Sequence, residues 1–326
     1  MNICYTICSA NDLFRAKTFI TSLSKFEPDI KIFIGLADKI DDRFNPGDFQ
    51  PASILEVHSL AIPEFKAMSS IYSITELNCS LKPFFAGYIF KKYSPDKLLY
   101  FDTDILITAP ITSILNDLDE NNILLTPHTT SPLPADNKFP LERHFLGAGI
   151  YNGGFIGMKN CAETERFIQW WSTRLTTQCF INPADFMYFD QNWLSIVPIF
   201  FNGVKILINP GYNVAYWNLH ERMLGINDAG KYIINQSHPL VFFHFSGYDP
   251  AKPGIISKHQ DRYSVKDSDI LDKLFNDYNR QLLQNGFEKY SVMACAYGKR
   301  KKKRSLVKKL FSELAGSLGF EINKKR

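Results

Sequence analysis

The sequence predicts an α/β protein built on a mostly parallel, twisted sheet with flanking helices, and three observations carry that expectation. Its 326 residues, 45% hydrophobic and 14% aromatic, suffice to bury one large core with an appendage. The chain opens on a strand, a helix and a strand in succession, the alternation that builds parallel, doubly wound sheets. A further apolar run, KLLYFDTDILIT at 97–108, reads as another strand although it carries Asp102 and Asp104.

The elements follow in order. ICYTICSA (3–10) is β-prone, and residues 11–26 place Leu13, Phe14, Ala16, Phe19, Ile20 and Leu23 near helical spacing, with Asn11 or Asp12 suited to cap the helix. DIKIFIGLAD (29–38) is the next strand. A second helical stretch over 75–93 leads through the turn SPD into 97–108. ILLTPH (123–128) precedes a Pro-rich loop (129–140), a strand at 149–160 interrupted by Gly153 and Gly154, and an amphipathic helix at 162–178. A helix near 266–285 closes the body. This divides the chain into a body, 1–285, and a basic amphipathic tail, 286–326.

Composition narrows the function classes. The six cysteines lack CxxC or Cys/His ligand spacing and follow no signal peptide, so reduced thiols in the cytoplasm are expected rather than a disulfide framework. No run of about 18 apolar residues predicts a membrane span. Residues 299–326 hold 11 Lys and Arg against 2 Asp and Glu, leaving 26 against 31 for residues 1–298. An acidic body argues against nucleic acid as a partner.

The carboxylates of 97–108 raise the chemical question. In an extended chain alternate side chains share a face, so Asp102 and Asp104 point together with Thr103 opposite. Two buried like charges need positive compensation, and a divalent cation supplies it. A D-x-D alone fits exposed strand-end acids equally well. His244, inside the apolar run FHFSG, reads either as a core histidine or as a third ligand; a His beside two carboxylates suits Mn²⁺, whereas Mg²⁺ prefers oxygen. Lys252 and, less so, Lys258 could balance a phosphate. Asn152, Gly153 and Gly154 could form a bulge or let a ligand approach the backbone. Asp190 could be an N-cap or, with Gln191 and Asn192, face a substrate.

Together, YFDTDILI, YNGGFIGMKN, FDQNWLSI and HFSGYDPAKPG resemble, in order, the D-x-D, N-x-G, D-Q-x and H-x-x-G-x-x-K-P segments of glycosyltransferase family 8. TICSANDLFRAKTFITSL, GYNVAYWNLHER and SKHQ are similar to a wider group of bacterial glycosyltransferase-like proteins. The resemblance spans roughly 2–263. It implies the GT-A fold and a metal-dependent transferase using a nucleotide-sugar, a UDP-sugar, on a glycan or glycolipid acceptor in cell-surface polysaccharide synthesis.

The resemblance also implies roles. Asp102, Asp104 and His244 would hold Mn²⁺ (or Mg²⁺), with Thr103 in the same donor-binding segment, and Lys252 would contact the diphosphate. Ser9, Ala10 and Asn11 would meet the nucleoside, Lys82 would reach the donor, Gly153 would belong to the donor-binding set, and Asn152 and Asp190 would touch the donor sugar or the acceptor. Gln191 would lie beneath the anomeric carbon with Asp190 beside it, retaining configuration; an inverting reaction would need Asp190 as base. Lys82 replaces a more usual Arg, Asn192 a common acid, and extra residues precede Lys252.

Trp217, Asn218 and His220 combine an aromatic platform with polar groups and are expected to bind the acceptor. In the tail, Leu306, Val307, Leu310, Phe311, Leu314 and Leu318 share one helical face behind six consecutive cations. That pattern is expected at the anionic inner face of the cytoplasmic membrane. The competing readings are a sugar-nucleotidyltransferase, for which CSANDLF lacks the Gly-rich basic loop, and an inactive carbohydrate-binding protein.

Overall fold

The computed structural model describes residues 1–299 apart from Phe186, and the amphipathic face expected at 306–318 lies outside the described residues. β1 (Asn2–Cys8), α1 (Leu13–Phe26) and β2 (Lys31–Leu36) form the opening unit, with β1 and β2 parallel. Asp12 occupies the N-cap position of α1, but its side chain makes no capping bond. The carboxylate instead binds Arg15 and accepts from Thr103 Oγ1 at 2.7 Å.

β3 (Ser53–Glu56) and α2 (Phe65–Ile71) follow. The stretch expected as one helix over 75–93 is two, α3 (Ile74–Ser80) and α4 (Lys82–Tyr93). Ser73 and Glu76 form a capping box on α3, and Pro83, which has no N–H to leave unpaired, opens α4. That restart puts Lys82 at a buried helix N-terminus.

The chain continues through β4 (Lys97–Phe101), β5 (Ile105–Ile107), α5 (Thr112–Glu120), β6 (Ile123–Pro127), α6 (Glu142–Ala148), β7 (Tyr151–Lys159) and α7 (Ala162–Leu175). A short hairpin, β8 (Ile181–Asn182) and β9 (Met187–Tyr188), precedes α8 (Gln191–Leu194), α9 (Val197–Phe200) and β10 (Val204–Ile206). β11 (Leu224–Ile226), β12 (Tyr232–Ile234) and β13 (His238–Pro239) make a small antiparallel sheet. β14 (Phe242–His244), α10 (Asp269–Gln284) and α11 (Phe287–Tyr290) complete the body.

The main sheet has the order β10-β6-β7-β4-β1-β2-β3, parallel except for β7, which runs against both neighbours. Helices cover both faces. Leu99 and Phe101 point into a core shared with α1 and α10, while Leu98 and Tyr100 join Phe85 and Trp171 on the other side. A strand buried on both faces must be apolar throughout, which explains the unbroken run at 98–101. Each such Leu or Phe contributes about 1.5–3 kcal/mol by leaving water.

Packing does not stop at residue 285. Tyr290 is buried, the Tyr297 and Phe65 rings lie 4.9 Å apart, and Ala296 N–H donates to Asp38 at 2.9 Å. The packed body therefore extends through the described residues to 299. All six cysteines are free. Among the described residues no helix is long and apolar enough to cross a membrane.

Candidate functional site

Residues 97–108 are not one strand. Asp102 N–H makes a last bond to Gly154 O at 2.8 Å, the chain turns at Asp102-Thr103-Asp104, and β5 joins a separate ribbon with β14. The two acids are thus aligned by a turn rather than by strand alternation. Pairing of Ile105 with His244, and of Phe245 N–H with Asp104 O at 2.8 Å, sets Asp104 beside the imidazole. One ligand atom each from Asp102, Asp104 and His244 lie within 4.8 Å of one another. His244 Nε2 is 3.0 Å from Asp104 and 3.9 Å from Asp102.

The far side of His244 decides which nitrogen is free. Nδ1 lies 3.2 Å from the amide oxygens of both Asn152 and Asn213. Gly154 N–H donates to Asn152 Oδ1 at 3.0 Å, and the Asn213 amide nitrogen donates to Thr126 Oγ1 at 3.1 Å, so both oxygens must face the ring. Nδ1 therefore carries a proton, and Nε2 is presented to the carboxylates. Gly154 leaves room for this: a Cβ there would collide with the His244 ring. Trp217 packs edge-on at 5.2 Å. Two carboxylates and an Nε2 backed by a bonded Nδ1–H suit a divalent cation.

Electrostatics follow from the same contacts. Burial opposes charge on His244, yet Asp104, with Asp102 adding to it, holds the imidazole above its ordinary value. Burial likewise works against the Asp104 anion, and His244 and Arg15 outweigh it, so its carboxyl sits below the usual range. Lys82, 2% exposed, donates to Gly153 O at 2.8 Å and Asp190 at 2.9 Å and lies 3.4 Å from Asp102. Burial would discharge it, but the two carboxylates hold it protonated. Asp190 is pushed up by burial and only partly brought back by Lys82. Its side chain is a salt-bridge partner and not a helix cap.

These groups floor a cavity of about 960 Å³ at the carboxyl ends of β1 and β4, where open α/β sheets bind ligands. Ser9, Asn11, Lys82, Asp102, Asp104, Asn152, Gly153, Asp190, Gln191, Trp217 and His244 all line it. Gln191 Oε1 accepts from Gly153 N–H at 3.3 Å. Ala10 is buried behind the lining, its N–H on Asp38, and Thr103 turns to Asp12. Asn218 is consumed by the backbone, donating to His128 O and Asn213 O and accepting from Ala215 N–H. His220 lies beside Ser131, outside the lining. Lys252 sits in a turn closed by its own N–H on Asp249 O, exposed and off the cavity, whereas Lys258 lines it.

Sequence reasoning missed Arg15, His128 and Asn213. Arg15 lines the cavity one helical turn beyond Asn11 and Asp12, a spacing that was legible. His128 is buried between Ile150 O and the Asn152 amide, and burial pushes its pKa down to about 4. Asn213 has a left-handed backbone (φ 52°) inside an aromatic segment, with no local pattern to mark its role.

The fold is shared with glycosyltransferases of GT-A type. The galactosyltransferase LgtC, solved in complex with donor and acceptor sugar analogues, superposes with a TM-score of 0.53 at 16% identity, over 87% of this chain and 96% of LgtC. The bifunctional glycosyltransferase WbbM gives 0.50 at 13% identity, over 87% of this chain and 50% of WbbM. In sequence the chain is similar to two Bacillus subtilis (strain 168) proteins. The uncharacterized protein YfnF is 24% identical over 245 residues, 74% of this chain and 80% of YfnF. The uncharacterized protein YfnD is 25% identical over 247 residues, 74% of this chain and 76% of YfnD. No family model matches the chain.

Proposed function

We propose that the protein is a metal-dependent glycosyltransferase that moves a sugar from a UDP-sugar to a glycan or glycolipid acceptor with retention of configuration. The observation that carries this reading is the convergence of Asp102, Asp104 and His244 on the floor of a cavity at the sheet's carboxyl ends. A fold in common with LgtC supports it. Mn²⁺ or Mg²⁺ held by those residues would offset the negative charge that develops on the departing diphosphate.

The chain's own residues supply the rest. Ser9 and Asn11 would meet the nucleoside, and Arg15, which lines the cavity where Lys252 does not, would take the diphosphate contact expected of Lys252. Asn152 and Gly153 border the sugar, and Gln191 faces its reacting carbon. The acceptor oxygen bonds to that carbon as the bond to the diphosphate breaks, and the acceptor proton passes to the diphosphate. Asp190, buried against Lys82, positions this wall and is not a free base. That arrangement favours retention over inversion.

Hydrolysis and transfer with a panel of UDP- and GDP-sugars, with and without Mn²⁺, test the reading. Metal-dependent turnover of at least one donor is expected, and Asp104→Asn should weaken metal-dependent donor binding by about 100-fold or more while the fold persists. Absence of metal-dependent turnover or binding with every donor would refute it. The six cations at 299–304 would attach the protein to an anionic membrane surface, each worth about 1 kcal/mol. Full-length protein should co-sediment with phosphatidylglycerol vesicles, stay free of phosphatidylcholine vesicles, and be released by high salt.

A further inference from the structure

The two carboxylate oxygens of Asp102 meet different surroundings. Oδ2 is the one turned toward His244, 3.9 Å from Nε2. Oδ1 accepts from the hydroxyl of Tyr100 and lies 3.4 Å from Lys82 Nζ. Tyr100 precedes Asp102 by two residues in β4, so strand alternation puts phenol and carboxylate on one face. The ladder bond from Asp102 N–H to Gly154 O carries that alternation one residue past the end of the strand.

Both groups at Oδ1 are held in place. The Tyr100 ring is buried, its centroid 5.0 Å from that of Tyr5 and 4.7 Å from Lys82 Nζ. Lys82 directs its ammonium at Gly153 O, at Asp190 and at Asp102, so its three protons face three oxygens of the protein. None is left for the donor contact that the resemblance implied for this lysine. Asp102 itself stands at the cavity with 31% of its side chain exposed. The last torsion of an aspartate has a broad, soft profile. Without a partner behind it, this carboxylate would turn and present either oxygen or both.

We infer that Tyr100 is a positioning residue of the metal site: its hydroxyl, with Lys82 beside it, holds Oδ1 of Asp102 so that Oδ2 alone is offered to a divalent cation. The inference rests on the reading of Asp102, Asp104 and His244 as a metal site. A carboxylate bound through one oxygen fills one coordination position instead of two, which leaves a position for a ligand oxygen. Hydrogen-bond partners that orient a ligating carboxylate carry about 10–100-fold in metal affinity.

The test is Mn²⁺ binding to full-length wild type, Tyr100→Phe and Tyr5→Phe, read by electron paramagnetic resonance of the free ion. Wild type, measured first, reports on the metal site alone; if it binds no Mn²⁺, the metal reading and the inference fail together. Tyr100→Phe removes only the hydroxyl and should weaken Mn²⁺ binding about tenfold or more. Tyr5→Phe removes a buried hydroxyl from the same cluster, one that donates to Lys82 O at 3.0 Å and touches no ligand. It should bind Mn²⁺ as wild type does. Urea unfolding in EDTA measures the stability of each variant apart from the metal. The Mn²⁺ concentration that half-activates turnover should rise in Tyr100→Phe, with the rate at saturating Mn²⁺ within a few-fold of wild type. Wild-type Mn²⁺ affinity in Tyr100→Phe, an equal loss in Tyr5→Phe, or a Tyr100→Phe chain that does not fold overturns the inference and leaves the metal site standing.

Discussion

At the scale of single residues, the site depends on which nitrogen His244 offers. Asn213 and Asn152 hold Nδ1 from behind, so Nε2 alone faces the carboxylates. Asn213→Leu removes one of those acceptors and leaves Thr126 Oγ1 without its donor. Mn²⁺ affinity, read by electron paramagnetic resonance of the free ion, should fall about 10–100-fold, the usual cost of losing an outer-shell partner. Thermal unfolding without metal should report a loss of about 1–3 kcal/mol for the unsatisfied buried groups. An unchanged metal affinity beside lowered stability would show that Asn213 only fills space. Asp102, Asp104 and His244 were legible because charged or titratable groups inside apolar runs stand out in a sequence. Asn213 was not, because its role exists only after segments 31 to 87 residues away, at Thr126 and Asn152 on one side and His244 on the other, have met.

At the scale of elements, the decisive features are breaks. The 97–108 run had to stop at Phe101 for β5 to leave the main sheet and bring β14 alongside Asp104. The 75–93 stretch had to restart at Lys82 for that side chain to enter the core between Asp102 and Asp190. Hydrophobic periodicity signals which segments are helical or extended but carries little information on where a buried run bends, since both halves are equally apolar. Pro83 was the one local cue. Lys82→Met keeps the length of the side chain and removes its charge, leaving Asp190 buried without a partner. Urea denaturation should show a loss of about 3–5 kcal/mol. Lys82→Met combined with Asp190→Leu removes both ends of the pair and should be less destabilised than Lys82→Met alone. A double variant as unstable as the sum of the two singles would mean that the ion pair carries no coupling.

At the scale of the whole molecule, the parallel sheet, its flanking helices and the basic end were legible from strand–helix alternation and charge. The division at 285 was drawn where the amphipathic pattern of α10 ends, yet Tyr290, Cys295 and Tyr297 return to the body at Phe49, Asn11 and Phe65. Short irregular segments of this kind have no period to read. Global stability should also carry a pH signature from His128. Burial holds its imidazole down to about 4, against 6.5 for the free side chain. As pH falls below 6.5 the unfolded chain takes up a proton there that the folded protein refuses until about pH 4. Stability that is fully present above 6.5 is therefore lost progressively between 6.5 and 4, by up to about 3 kcal/mol. His244 works in the opposite sense: Asp104 raises its pKa, so its contribution is complete below 6.5 and fades as pH rises through the folded value. Comparing wild type with His128→Gln in EDTA isolates the first effect, because His244 and the carboxylates titrate in both. The variant should unfold at lower urea at pH 8, having lost the bond to Ile150 O, but its midpoint should decline less steeply from pH 6.5 to 4. Parallel declines in the two proteins would mean that His128 is protonated in the folded state and that the acid sensitivity arises elsewhere.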